Sequence, residues 1–184
     1  MIFFIIIKHN SQRIKNKNFK KIGKLELWKH LITTLKGEKV FIDTDSPKII
    51  KSCIKSFLWV KAYSRNKEFI KLEKTKKASP TLQMIKNFLS KYVNNPNEVI
   101  VTTHVTSPFL KLKTIKKAAK KLRNFDSVAA VTKDYNFAWL ENKKKKLVPI
   151  NFDPKVVVKT QNLNPIVQSN GAFFIFKKKN IYEI

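Results

Sequence analysis

Short runs of β-branched and aromatic residues recur along this chain, and each is followed by a stretch whose apolar residues return every three or four positions. That alternation constrains the fold more than any other feature. The opening run, residues 2–7, is Ile-Phe-Phe-Ile-Ile-Ile, too continuously apolar for a half-solvated strand and suited to one buried on both faces. Leu25, Trp28, Leu31, Ile32 and Leu35 then fall at helical spacing and predict a helix over 25–35. A second strand is expected at 39–43, a short helix opened by Pro47, and a third strand at 57–63. Ser79 followed by Pro80 reads as a cap and first helical residue, ahead of Leu82, Ile85, Phe88, Leu89 and Tyr92. A fourth strand at 99–103, a helix through Ile115, Ala118, Ala119 and Leu122, a fifth strand at 127–132 and a late strand at 170–176 complete the series. Parallel strands need crossovers of a dozen or more residues, and helices supply them, so the expectation is an α/β domain with a mainly parallel sheet. Ligands of such sheets sit at the carboxyl ends of the strands, which directs attention to the loops after Ile7, Asp43 and Thr103. The run Lys143 to Lys146 reads as a solvated hairpin turn.

With 184 residues the chain suits a single domain, 1–184, with enough surface to bury a core. Its net charge of +27 invites a nucleic-acid reading. Against it, the cations are almost all Lys, with Arg13, Arg65 and Arg123 the only arginines, and they are spread along the sequence. Arg is the residue that matches phosphate and base edges bidentately. Heavy joint use of Lys, Asn, Ile and Phe is what an AT-rich genome writes for any function, so nucleic acid is not the expected partner. The charge still favours an anionic small substrate. A lone cysteine, Cys53, rules out an intrachain disulfide and a cysteine zinc cluster, and a reducing cytoplasm is expected. No apolar run is long enough for a membrane span, and residues 1–7 lack the charged start and cleavage site of a signal peptide.

The loop after the first strand carries Lys8, Asn10, Ser11, Arg13, Lys15, Asn16, Lys17 and Asn18. Backbone N–H groups and cations at that place can hold a polyphosphate, and nucleotidyl transfer needs them because negative charge grows on the departing pyrophosphate. On composition alone, a solvated basic loop in a Lys-rich protein is the better explanation.

From Ile7 the sequence reads I-K-H-N-S-Q-R-I-K-N-K-N. It resembles the A-R-G-G-S-K-R-I-P-x-K-N of acylneuraminate cytidylyltransferases, the CMP-sialic acid synthetase type, and Ser11, Arg13, Ile14, Lys17 and Asn18 match. Lys8 keeps the charge of the pattern's first Arg, whereas His9 and Asn10 replace two glycines, so the loop can meet phosphate differently. Further stretches agree in order. Residues 40–46 are similar to V-x-x-S-T-D-S, and 103–110 to L-Q-P-T-S-P-L-R, matching Thr106, Ser107 and Pro108. Residues 126–132 are similar to D-S-V-x-S-V-T, 159–165 to R-x-Q-x-L-P-P, and 170–176 to N-G-A-x-Y-I-F. Asp43 and Asp45 by themselves read as turn and cap residues before Pro47.

The resemblance implies a three-layer α/β/α Rossmann-like nucleotide-diphospho-sugar transferase fold. It implies transfer of CMP from CTP to an acidic sugar of the sialic-acid-like, nonulosonate type, with release of pyrophosphate. By it Arg13 and Lys17 are the catalytic cations on the triphosphate, with Lys8, Asn10, Ser11 and Asn18 around the nucleotide. His104, Thr106, Ser107, Lys159, Gln161 and Asn170 fall to the sugar acid, Lys159 standing where the family often has Arg. A sister enzyme for a deoxyoctulosonate is less well matched, because its loop lacks the Asn that follows Lys17. Mg²⁺ and a homodimer are likewise implied. The family's D-x-D-like metal segment lies beyond the point where this sequence stops, so the metal ligands are not assigned from these residues. Two other readings stay open: a member that binds nucleotide without turnover, and a basic nucleic-acid-binding protein.

Overall fold

The computed structural model describes residues 1–11, 14–75 and 79–182. In chain order the elements are β1 (Ile2–Ile7), β2 (Lys21–Ile22), β3 (Leu25–Glu26), α1 (Leu27–Thr34), β4 (Lys39–Thr44), α2 (Pro47–Ser56), β5 (Val60–Ser64), α3 (Lys67–Lys74), α4 (Thr81–Tyr92), β6 (Val99–Thr103), α5 (Leu112–Ala119), β7 (Ser127–Asp134), β8 (Trp139–Glu141), β9 (Leu147–Pro149) and β10 (Ile166–Lys177). Single 3₁₀ turns lie at Lys17–Phe19, Lys120–Arg123, Thr160–Asn162 and Lys178–Tyr182. The chain forms two compact units, Met1–Ala129 with Ala172–Ile184, and Ala130–Gly171.

The first unit is built on a sheet ordered β5-β4-β1-β6-β10-β7. β1 runs parallel to both β4 and β6, β4 is parallel to β5, and β10 returns antiparallel to β6. The mainly parallel α/β sheet expected from the alternation of apolar runs is therefore present. From β1 the chain moves outward through β4 and β5, then crosses back to lay β6 on the other side of β1. The strand order reverses between β1 and β6, and the crevice at such a reversal is where open α/β sheets hold ligands.

Both faces of β1 are buried, as its unbroken apolar sequence requires. Ile2 and Phe4 pack with Phe41, Ile85, Phe88, Leu89 and Phe176 under α4. Phe3, Ile5 and Ile7 point to the opposite face and are fully buried too. The helices α1, α2 and α5 also bury apolar side chains, among them Leu31, Ile49 and Ile115. Phe88 stacks on Phe4 with ring centroids 4.3 Å apart and meets Phe41 edge-on at 5.1 Å. Burying one such ring stabilises by about 1.5–3 kcal/mol, and the ring pairing adds about 0.5–1.5 kcal/mol. Gly37 (φ 86°) takes the left-handed conformation after α1 that turns the chain into β4.

Several elements differ from expectation in their limits. The predicted helix over 25–35 begins at Leu27, since Leu25–Glu26 pairs with Lys21–Ile22 as a small hairpin. The third strand starts at Val60, because Phe57 and Trp59 are spent on aromatic packing, Phe57 against Trp28 at 5.6 Å and against Trp59 at 5.4 Å. Pro80 rather than Ser79 occupies the cap position of α4. The helix α3 was not foreseen; none of its residues is buried, so its apolar spacing carries little weight in the sequence.

The second unit contains the hairpin β8–β9, whose turn at 142–146 holds the lysine run expected there. Lys145 takes a left-handed φ of 58° in that turn. Phe152 lies edge-on to both Phe137 and Trp139, at 4.8 and 5.0 Å. Among the described residues no helix is long and apolar enough to cross a membrane.

Candidate active site at the strand-order reversal

The rim formed by the ends of β1, β4 and β5 is level, since Ile7 aligns with Thr44 and Thr44 with Ser64. β6 ends at Thr103, level with Ile5. The loop that leaves β1 at Lys8 is tied down at several points. The backbone N–H of His9 donates to Asp45 Oδ1 (2.6 Å), and its ring Nδ1 is 2.8 Å from Ser46 Oγ. Asn18 is buried and its Nδ2 donates to the carbonyl of Lys8 (2.7 Å), which folds the far end of the loop back on its root. The His9 ring leans on Phe19 (5.2 Å), and the Lys48 ammonium sits over the same Phe19 ring, 4.7 Å from its centroid. Among the loop's described residues Asn16, at φ 54°, adopts the left-handed conformation; neither His9 nor Asn10, which replace the pattern's glycines, does so. Asn carries that conformation at less cost than most side chains.

Under the loop lies a buried ion cluster. The Arg65 side chain is 0% exposed. Its Nε donates to Asp43 Oδ1 (2.6 Å), Nη1 to Glu73 Oε2 (2.8 Å), and Nη2 to the carbonyls of Ile7 and Asp43 (3.2 Å each). Glu73 in turn pairs with Lys8 through Oε1 (3.1 Å). Burial pushes the Asp43 carboxyl up from its ordinary value, against the pull of the Arg65 guanidinium. The same burial, helped by the Asp43 charge, holds the Tyr63 phenol protonated. Asp43 and Asp45 thus do not act as helix caps: one is committed to Arg65, the other to the His9 N–H, and the cap residue of α2 is Ser46, which makes no side-chain cap bond.

The sequence-derived candidates fall as follows. Lys17 is half-buried in the 3₁₀ turn of the β1 loop. His104 is the first residue after β6, and its pKa is lowered. The imidazole reaches the surface, yet the protein around it still strips water from the charged form, and the positive charge of Lys17 adds to the effect. The two loops at the reversal therefore bring Lys17 and His104 within electrostatic reach. Thr106 is exposed and Ser107 half-buried in a turn where the Ser107 N–H donates to the His104 carbonyl (3.1 Å). Ser11 is half-buried, Asn10 exposed, and Lys8 is held by Glu73. Arg13 lies outside the described residues. Lys159, Gln161 and Asn170 belong to the second unit, all exposed, with Asn170 Nδ2 3.2 Å from Thr132 Oγ1.

Sequence reasoning passed over Arg65, Glu73 and His9, which build the rim. For Arg65 a signal existed: a rare Arg in a Lys-rich chain, placed directly after a strand. Among the described residues no three His, Cys, Asp or Glu side chains gather as a metal site. Asp43 and Asp45 are engaged at this rim by Arg65 and by the His9 N–H.

Comparison with known proteins agrees with this geometry. A CMP:2-keto-3-deoxy-manno-octonic acid synthetase solved with CTP has a TM-score of 0.66 at 11% identity, covering 99% of this chain and 76% of that one. A 4-diphosphocytidyl-2C-methyl-D-erythritol synthase from Anaerococcus prevotii gives 0.62 at 17% identity, with 99% and 72% covered. Another synthase of that name gives 0.65 at 10%, with 97% and 75% covered. At such identities the likeness is one of fold. No curated protein matches the sequence. The family model for cytidylyltransferases, however, matches residues 2–183, from the first residue of β1 to past β10. This chain belongs to the cytidylyltransferase family, and is an enzyme of the CTP-using nucleotidyltransferase type.

Proposed function

We propose that the chain transfers CMP from CTP to the anomeric hydroxyl of a sialic-acid-like nonulosonate, releasing pyrophosphate. The observation that carries this reading is that the loop after β1 and the end of β6, either side of the strand-order reversal, bring Lys17 within electrostatic reach of His104. The first offers a cation for a triphosphate, the second an imidazole, its pKa lowered, for a hydroxyl. The motif agreement at Ser11, Arg13, Lys17 and Asn18, and at Thr106, Ser107, Gln161 and Asn170, supports the acidic nine-carbon sugar over other acceptors.

In this reading the sugar hydroxyl attacks the α-phosphorus, and the bond to the β-phosphate oxygen breaks. Arg13 and Lys17 lie along the β- and γ-phosphates and stabilise the charge that accumulates there. Lys8 adds to that field, and Asn10 and Ser11 face the nucleotide. Asn18 braces the loop through the Lys8 carbonyl. Thr106, Ser107 and His104 orient the acceptor, its hydroxyl meeting an uncharged ring. By the motif resemblance alone, Lys159, Gln161 and Asn170 offer donors for a carboxylate and hydroxyls. Mg²⁺ would enter as the complex of CTP itself, with phosphate oxygens and water as its ligands.

The test is pyrophosphate release with CTP, Mg²⁺ and a panel of sugar acids that includes nonulosonates and a deoxyoctulosonate. Release should require CTP and a nonulosonate, and Lys17→Ala or Arg13→Ala should each reduce it by about 100-fold or more. Turnover that survives both substitutions would remove the triphosphate assignment. Turnover only with the eight-carbon acid would move the acceptor.

A further inference from the structure

A guanidinium taken wholly out of water is costly, and a well-packed apolar side chain of similar volume is often no less stable. Arg65 is 0% exposed and nevertheless stands at the rim of the site. What its planar fork does, and an ammonium cannot, is hold acceptors in several directions at fixed angles. The acceptors here are the Asp43 carboxylate and carbonyl on β4, the Glu73 carboxylate on α3, and the carbonyl of Ile7, the last residue of β1. Glu73 passes the restraint to the Lys8 ammonium, 3.1 Å away. Both the backbone and the side chain at the root of the β1 loop are thereby fixed from one buried group. The loop's other end is pinned to the same residue, by Asn18 on the Lys8 carbonyl.

From this we infer that Arg65 is a positioning residue of the triphosphate loop. It sets the direction in which the chain leaves β1, and so the places of the loop's N–H groups and cations, without itself touching nucleotide. The inference rests on the reading of that loop given above. It weighs on phosphate recognition more than on recognition of the nucleoside, because the loop's cations and N–H groups serve the phosphates.

The experiment compares binding of CTP with binding of cytidine, by titration calorimetry, in the full chain and in Arg65→Lys. The variant keeps the charge and loses the fork. CTP affinity should fall about ten- to a hundredfold, the range of charge-assisted bonds lost, while cytidine affinity stays within about twofold. Asp43→Asn, which keeps an oxygen for Nε and removes the charge, should show the same selective loss at about threefold. It decides the matter if Arg65→Lys does not fold, as judged by circular dichroism. An unchanged CTP-to-cytidine ratio in a folded variant, or an equal loss for both ligands, overturns the positioning role and leaves Arg65 a purely structural group. A wild-type chain that binds CTP no better than cytidine would instead sink the triphosphate-loop reading, and this inference with it.

Discussion

The two units use apolar residues in opposite ways. In the first, Phe3, Ile5, Ile7, Leu31, Ile42, Phe88 and Phe176 are at or near complete burial, on strands and helices that cover one another. In the second, Trp139, Leu140, Leu147, Val148, Ile150, Val156 and Val157 are exposed, and Leu163 is the buried apolar side chain described there. The cause is visible in the elements. β8 and β9 are three residues each and form a sheet of two strands, whereas β1 has neighbours on both edges and is buried on both faces. A strand's sequence can look equally apolar in both settings; what differs is how many neighbours the sheet places beside it.

That contrast can be broken in order of expected effect. Phe88→Ala should destabilise the chain by about 3–5 kcal/mol in denaturant titration, because it empties the space between Phe4 and Phe41. A loss under ~1 kcal/mol would mean that this core is not what holds the first unit. Leu163→Ala should cost less, near the ~2 kcal/mol end of such substitutions, and hydrogen exchange should show the loss confined to 130–171. Leu140→Ser with Val148→Thr, on the exposed hairpin, should stay within about 0.5 kcal/mol of wild type. A larger drop would show that the hairpin is covered in solution.

The smallest effect is electrostatic. The His104 pKa lies below the ordinary imidazole value of 6.5, first through burial and then through Lys17. Replacing Lys17 with Met should move it back upward, read from the imidazole proton shifts, while leaving the burial part in place. The sign for stability follows: the unfolded chain binds this proton more readily, so a contribution present above the unfolded pKa is lost as pH falls toward the folded one. A His104 pKa that does not rise in Lys17→Met would separate the two loops.

How far the sequence could be read depended on whether the governing contacts were local. The strands at 2–7, 39–44 and 99–103 are written in their own residues, because a strand buried on both faces must be continuously apolar. So is the loop motif with Ser11, Lys17 and Asn18. The start of β5 was less legible, because Phe57 and Trp59 are as apolar as any strand residue and only the position of Trp28 shows that they belong to a turn. For Arg65 the sequence shows a rare arginine after a strand, but not what it holds. Its partners, Glu73, Asp43 and Ile7, come from three other elements, and a charged residue after a strand normally means solvent. Cys53 lies buried on α2, and burial raises its thiol to about 11, well clear of nucleophilic use at neutral pH.

The place of β10 in the sheet has a consequence for synthesis. It sits between β6 and β7, although both precede it in sequence, and Phe173 lines up with Thr103. A nascent chain whose residues 166–177 are still inside the ribosome therefore carries β6 with one margin unsatisfied, a ready template for stray pairing. Closing that seam requires bringing together segments far apart in the polypeptide, a slow step by loop entropy, so β6 stays vulnerable until residues 166–177 have emerged and paired.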